Sequence, residues 1–297
     1  MKKRELKFTR YIFPTLVYIL AIVWCIIMIT IAGFAIVTSF RKNIDYIGNP
    51  GGLPTKGMWT LENYKTIFSK THLWVGSGVN KHKVFLPEII YNTLFYSTVN
   101  PLAAMITCAS VSYVACRYRK YRFVRGIYVF TIIWTYWPFG ASLASTINYL
   151  RALGIYDNFY LFPFYNCGAF GFDMLVYYAT WQSFSQEYGD AAMIDGASPL
   201  KIFLNVYFPL GRGTFWTLFI LKFMGLFKTW EVNITLLPSY PLIGYLGYML
   251  RYTSITEFAE IPVQVAGLLV ISLPVLIIFM AGRKAFMSSV QFGGLKG

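Results

Sequence analysis

The sequence predicts an all-α, polytopic membrane protein with six transmembrane helices. Hydrophobic residues fill 57% of the 297 positions while charged ones reach only 13%, for a mean hydropathy of +0.53. The apolar residues also gather into runs of membrane length, at 11–40, 88–116, 126–150, 168–184, 213–237 and 261–282. A hydrocarbon core about 30 Å thick needs ~20 apolar residues per helix, so each run suffices, the fourth near the short limit. Six crossings put both termini on one side of the membrane.

Charge orients the runs. Lys2, Lys3, Arg4, Lys7 and Arg10 precede the first; Arg117, Arg119, Lys120, Arg122 and Arg125 fill the second connection; Arg283, Lys284 and Lys296 follow the last. The positive-inside rule then makes 1–40 a cytoplasmic N-terminus and first helix, and 41–87 an external loop. It makes 88–282 a five-helix core and 283–297 a cytoplasmic tail. Seven Lys/Arg in 41–87 do not overturn this, because long loops translocate largely regardless of charge. The net charge of +14 is thus mostly topology. Nucleic acid is excluded as a partner, since the aromatic residues lie in apolar spans and not on a soluble basic face.

The basic start and its apolar run read as an uncleaved first helix: the run is too long for a signal peptide and no small-residue cleavage pattern follows. In the external loop, Gly48, Asn49, Pro50, Gly51, Gly52 and Pro54 mark turns, and 61–68 fits a short amphipathic helix on the membrane surface. Cys25, Cys108 and Cys116 fall in spans and Cys167 stands alone outside, so no disulfide framework is implied. His72 and His82 lack a Cys or carboxylate at metal-ligand spacing, and neither a metal site nor a catalytic constellation stands out.

The connection 185–212 differs from the rest. Glu187, Asp190 and Asp195 reverse the local charge sign relative to the other cytoplasmic segments. Asp190, Ala191, Ala192, Met193 and Ile194 can form a short helix with its acid at the positive end of the dipole, stopped by an Asp195-Gly196 turn. Ser198 is a good N-cap and Pro199 fits the first helical position of a second helix. In that helix Leu200, Phe203, Leu204 and Tyr207 share one face until Pro209 breaks the run. Small Ala191, Ala192, Gly196 and Ala197 let such a knob enter a groove on a partner.

Acid-Ala-Ala, two residues, Asp-Gly-Ala, then Pro and an apolar helix ending in Pro-Leu resembles the EAA coupling loop of ABC-importer permeases, with Asp190 at the position of the family's leading Glu. Trp59-Thr60-Leu61-Glu62-Asn63-Tyr64 resembles the segment ahead of the second helix in sugar-importer permeases, and Asn92-Thr93-Leu94 the start of that helix. The tail Phe292-Gly293-Gly294-Leu295-Lys296-Gly297 is similar to the end of maltose-type permeases. The resemblance implies the type I ABC importer permease fold, a place in a bacterial cytoplasmic (inner) membrane and a role as one membrane subunit of a carbohydrate importer. Its partners would be a second homologous permease, two ATPase subunits, an extracytoplasmic substrate-binding protein and the lipid bilayer. Glu187, Asp190, Ala191, Ala192, Asp195, Gly196 and Ala197 would dock the ATPase. No G-x-x-x-x-G-K-[ST] string occurs, so the chain binds no cofactor, and ATP with its Mg belongs to the separate ATPase. An ion-coupled secondary transporter is the alternative, weakened because no internal repeat pairs the first three runs with the last three. A membrane enzyme or assembly scaffold comes third.

The fifth run holds Lys222, Lys228 and Glu231, where an ionisable group costs at least ~2.5 kcal/mol unless paired or hydrated. Lys228 and Glu231 suit an i, i+3 ion pair, with Asp173 as a further member, whereas Lys222 has no same-helix acid in reach. Lys222, Lys228, Trp230, Glu231 and Asn233 are the candidates for the translocation path, the Trp230 segment also being similar to the family's fifth helix. Trp181 and Trp216, at cytoplasmic ends, read as interfacial belt residues. In the external connection 238–260, Tyr240, Gly244 and Tyr245 would meet the binding protein, as the resemblance implies. An apparently unpaired Lys222 and the basic loop 41–87, with two acids against seven cations, suggest an oligosaccharide carrying carboxylates, with a neutral oligosaccharide as the leading alternative.

Overall fold

The computed structural model describes residues 2–76, 81–137, 142–252 and 259–292. Contacts cluster into two units, residues 1–71 with 249–272 and residues 72–248 with 273–297. The sequence tail 293–297 and positions 253–258 of the predicted connection 238–260 lie outside the described residues.

The first unit begins with α1 (Lys2–Ser39). Its apolar part, Ile12–Ser39, has a mean hydropathy of 2.8, and the chain buries none of its most apolar window. A helix that is apolar all round and uncovered by its own chain requires lipid or a partner around it. Where α1 ends, a polar knot takes over. Arg41 is fully buried: its Nε donates to Asp45 Oδ2 at 2.8 Å, Nη1 to the Gly52 carbonyl, and Nη2 to the Asp45 and Asn49 carbonyls. Those acceptors lie on and just after α2 (Asn43–Gly48). A buried guanidinium is tolerable only when its donors are satisfied in this way. α3 (Glu62–Lys70) covers the predicted amphipathic segment, but it packs inward through Asn63 and Ile67. The Asn63 amide donates to the Ser39 and Arg41 carbonyls at 2.8 Å each, and the Tyr64 hydroxyl lies 2.7 Å from Ser39 Oγ. The Trp59-to-Tyr64 motif therefore staples the C-terminal end of α1.

The second unit opens with a departure from the all-α expectation. β1 (His72–Val75) and β2 (His82–Phe85) pair antiparallel, Leu73 opposite Val84 with both buried. α4 (Leu86–Arg117) follows and is the pillar of this unit, burying fifteen residues from Leu86 to Ala115. Then come α5 (Arg122–Tyr136), α6 (Leu143–Ala152), α7 (Phe162–Tyr165), α8 (Phe172–Ser183), α9 (Glu187–Ile194) and α10 (Pro199–Ile202). A π-helical turn (Phe203–Tyr207), α11 (Phe208–Phe227), α12 (Glu231–Thr235), α13 (Ile243–Tyr252) and α14 (Ile261–Phe292) complete the chain. α8 and α11 both pack on α4.

Among the described residues, three helices are long and apolar enough to cross a membrane: Ile12–Ser39, Leu86–Arg117 and Ile261–Arg283. The third, fourth and fifth predicted spans are not single long helices. The third stops at Tyr136 because Trp137 precedes Pro138 and takes an extended ψ of 118°, the conformation proline imposes on its predecessor. The fourth is reduced to twelve residues, about 18 Å at 1.5 Å per residue. It starts only after Gly171, at φ 128°, and ends at extended Phe184. The fifth begins earlier than predicted, at Phe208, and breaks at Lys228–Trp230 before the short α12.

The knot in the first unit has a pH signature. The Thr55 hydroxyl hydrogen bond holds the Asp45 carboxyl below the usual carboxylate range; burial opposes this and the Arg41 guanidinium assists it. A carboxyl that is more acidic folded than unfolded stabilises the fold above its unfolded value, about 3.9. That stability disappears as pH falls through the lower folded value. Amide exchange of residues 41–59, corrected for intrinsic rates, should therefore accelerate as pH drops below about 4. Asp45→Asn should exchange fast already at neutral pH, and flat profiles for both proteins would refute the assignment.

Candidate functional site

The acidic connection forms a rigid knob, beginning with α9. Its first turn carries Glu187 and Asp190 at the positive end of the helix dipole, both exposed. At the other end the Gly196 N–H donates to the Met193 carbonyl and the Ala197 N–H to the Ala192 carbonyl, 3.0 Å each, with Gly196 at φ 77°. This is the paired hydrogen-bond pattern that closes a helix through a left-handed residue, and glycine is the residue that adopts it without strain. Ser198 then caps α10, its hydroxyl accepting from the Lys201 N–H, with Pro199 at the first helical position. Ala191, Asp195 and Gly196 are exposed, while Ala192 and Ala197 are half-buried.

Pro209 does not end the second helix. It sits in the first turn of α11, and the preceding residues widen into a π turn in which the Phe208 N–H bonds the Phe203 carbonyl. The wider turn absorbs the hydrogen bond that proline cannot donate. The predicted apolar face divides accordingly. Phe203 and Tyr207 are buried, whereas Leu200 and Leu204 are 67% and 49% exposed, beside Ile194 at 87% and Met193 at 57%. Exposed apolar side chains thus flank an acidic helix.

That surface stands on an aromatic pedestal. Trp181, predicted as a belt residue, is fully buried, and its indole N–H reaches Ser112 Oγ at 2.8 Å and the Ala109 carbonyl at 3.2 Å. Tyr113 packs on Phe203 and Tyr207 with ring centroids 4.8 and 5.3 Å apart. The Arg117 guanidinium lies 4.1 Å from the Tyr207 ring centroid and donates to the Trp181 and Phe184 carbonyls. Burial pushes the Tyr207 phenol up, with Arg117 opposing. Gly211 admits the Trp181 ring, where an added Cβ would stand 2.5 Å from it. Trp216 is 45% exposed.

The intramembrane candidates do not assemble into one cluster. Lys222 is not unpaired: its Nζ lies 2.5 Å from Asp173 Oδ2 of α8. Lys228 and Glu231 are exposed and close no ion pair among the described residues, because the chain leaves the helix between them and Glu231 turns back to the Trp230 N–H. Trp230 stacks on Tyr248 at 4.4 Å with planes 8° apart, and Tyr245 continues the stack at 6.3 Å. Asn233 is buried, its amide donating to the Leu237 and Tyr240 carbonyls and its oxygen accepting from the Leu242 N–H. In this conformation it anchors the loop 236–242 and presents nothing to a path.

The segment assigned to the binding protein is likewise no free loop. Tyr240 stacks on Phe159 at 5.0 Å, and Gly244 lies so close to the 228–229 backbone that a Cβ would meet the Lys228 carbonyl oxygen at 2.6 Å. Two anchors there escaped sequence reasoning. Asp157, at φ 54°, accepts the Ser239 N–H and hydroxyl, and Thr93 Oγ1 accepts the Ile243 N–H at 2.8 Å. The Asn92-Thr93-Leu94 motif thus fastens the start of α13.

No family model matches the chain. It is 23% identical over 294 residues, 98% of its length and 96% of the relative's, to the maltodextrin transport system permease protein MdxG of Bacillus subtilis. It is 24% identical to the diacetylchitobiose uptake system permease protein NgcG of Streptomyces coelicolor, covering 95% of this chain and 88% of that one. A probable starch degradation products permease, AmyC of Thermoanaerobacterium thermosulfurigenes, is 24% identical over 99% of both chains. In three dimensions the chain matches a bacterial ABC transporter involved in import of the acidic polysaccharide alginate, with a TM-score of 0.75 and 21% identity over 94% of this chain and 97% of that one. A second structure, the alginate transporter in complex with its sugar-bound periplasmic protein, matches with a TM-score of 0.60 and 16% identity over 94% of each chain. The fold is that of an ABC-importer permease. Along its whole length the chain is similar, more particularly, to permease subunits of sugar ABC importers.

The pedestal can be tested by overpacking. Gly211→Ala should destabilise the detergent-solubilised protein by about 1–3 kcal/mol, because the buried indole has nowhere to move. Trp181→Phe shortens the ring, so the double variant should lose less than the sum of the two singles in a melting assay. Strict additivity would show that the two residues do not touch.

Proposed function

We propose that the chain is the transmembrane permease subunit of an ATP-driven, binding-protein-dependent oligosaccharide importer. The observation that carries this reading is the acidic knob, closed at Gly196, surrounded by exposed Met193, Ile194, Leu200 and Leu204, and mounted on buried Trp181, Phe203 and Tyr207. A motor subunit must grip something stiff, and this knob is continuous with α11 and packed through Trp181 and Tyr207 on α4. Glu187, Asp190, Ala191, Ala192, Asp195, Gly196 and Ala197 would enter an ATPase cleft, and ATP with Mg would be bound there and not by this chain. The relatives named for maltodextrin, diacetylchitobiose and starch products support an oligosaccharide as cargo.

In this reading all six apolar runs lie at membrane depth, the short α8 and the broken third and fifth runs being covered by α4 and by a second permease. Irregular backbone is tolerated there only where protein or a water-filled path surrounds it. Both termini and the knob face the cytoplasm. The Trp230, Tyr248 and Tyr245 stack, with exposed Lys228 and Glu231, lies toward the outer end, where the binding protein would deliver sugar.

Co-expression with a cognate ATPase and the second permease should yield a stoichiometric complex, and ATP inside reconstituted vesicles should drive sugar uptake when the binding protein is supplied outside. Gly196→Glu should abolish the coupling: strain at a left-handed residue costs about 1–2 kcal/mol, and the added acid would project from the docking face. Normal stimulated hydrolysis with normal uptake in this variant would remove the knob from the coupling role.

A further inference from the structure

Between α8 and α11 runs a polar seam. Asp173 pairs with Lys222, and two turns away Thr180 Oγ1 lies 3.1 Å from Thr214 Oγ1. On α11 these two polar positions are eight residues apart, about 12 Å along the helix axis. Tyr177 lies between Asp173 and Thr180 on α8, and its hydroxyl is buried with no hydrogen-bond partner among the described residues. The ion pair is not sealed: the Lys222 side chain keeps 39% of its surface exposed and the Asp173 side chain 19%. In a helix rich in Phe and Leu, an open ion pair cannot face lipid without a cost of several kcal/mol. It needs water or another polar surface.

We propose that this seam lines the sugar path and that Asp173 makes it select uncharged oligosaccharides. The inference rests on the permease reading above. Lys222 would be a natural partner for a uronate carboxylate, but Asp173 already occupies it. An acidic sugar would have to displace Asp173 and leave that carboxylate uncompensated at membrane depth, whereas sugar hydroxyls can bond around an intact pair through the remaining donors and acceptors. The pair thus works as a resident carboxylate that bars others.

The test measures binding of fluorophore-labelled pentasaccharides of equal length, one neutral and one uronate-containing, to the solubilised permease–ATPase complex without binding protein. Wild type should prefer the neutral probe. Asp173→Asn should raise the ratio of uronate to neutral affinity about tenfold, the effect of one new charge-assisted hydrogen bond between Lys222 and the uronate. Asp173→Asn combined with Lys222→Met should return the ratio to the wild-type value, which also shows that the single variant acted through Lys222 and not through misfolding. A wild type that prefers the uronate probe, or an unchanged ratio in Asp173→Asn, overturns the selectivity. ATPase copurification and ATP-driven uptake by wild type test the permease reading separately, since neither depends on the preference between the two probes.

Discussion

The second unit depends on how one indole is held. Trp181 comes from a helix of only twelve residues, too short to be stable alone, and it is fixed by its bonds to Ser112 and Ala109 and by the notch at Gly211. Through it α8 is fastened to α4 and α11 at once. Tyr113, Phe203, Tyr207 and Arg117 extend the same packing to the knob. In the proposed coupling role, a force applied at Asp190 or Gly196 would meet packed rings, whereas a coupling surface on a soft loop would dissipate such a displacement.

Much of this is legible in the sequence alone. Pro199, Ser198 and Gly196 act through local backbone rules, so the turn, the cap and the two short helices of the knob follow from their order. The long first, second and sixth apolar runs form helices at nearly the expected bounds for the same reason, since length and hydropathy are properties of contiguous residues. The short amphipathic helix after Trp59 also forms, though it faces its own unit instead of the membrane.

What stays hidden depends on partners distant in sequence. The acid for Lys222 lies on another helix, so a search of i±3 and i±4 neighbours does not find it, and the same search wrongly joins Lys228 to Glu231 across a helix break. Asn233 looks like a polar group awaiting sugar because its backbone partners only converge once the chain has folded back at 237–242. Trp181 reads as an interfacial ring because depth is invisible in sequence, although Gly211 opposite it is the clue. The split of the third run is written in Trp137-Pro138, a rule that hydropathy outweighs.

The π turn at Phe203–Tyr207 bears on how a chain of this shape can change length. It holds one residue more than an α-turn would and absorbs that residue within a single widened turn, so the helix before it and the helix after it keep nearly the same facing. Deleting one residue there would close the stretch into a continuous α-helix and leave the face of Met193 and Leu200 where it is. What would be lost is the room the wide turn gives Pro209, whose ring in an uninterrupted helix meets the carbonyl four residues before it.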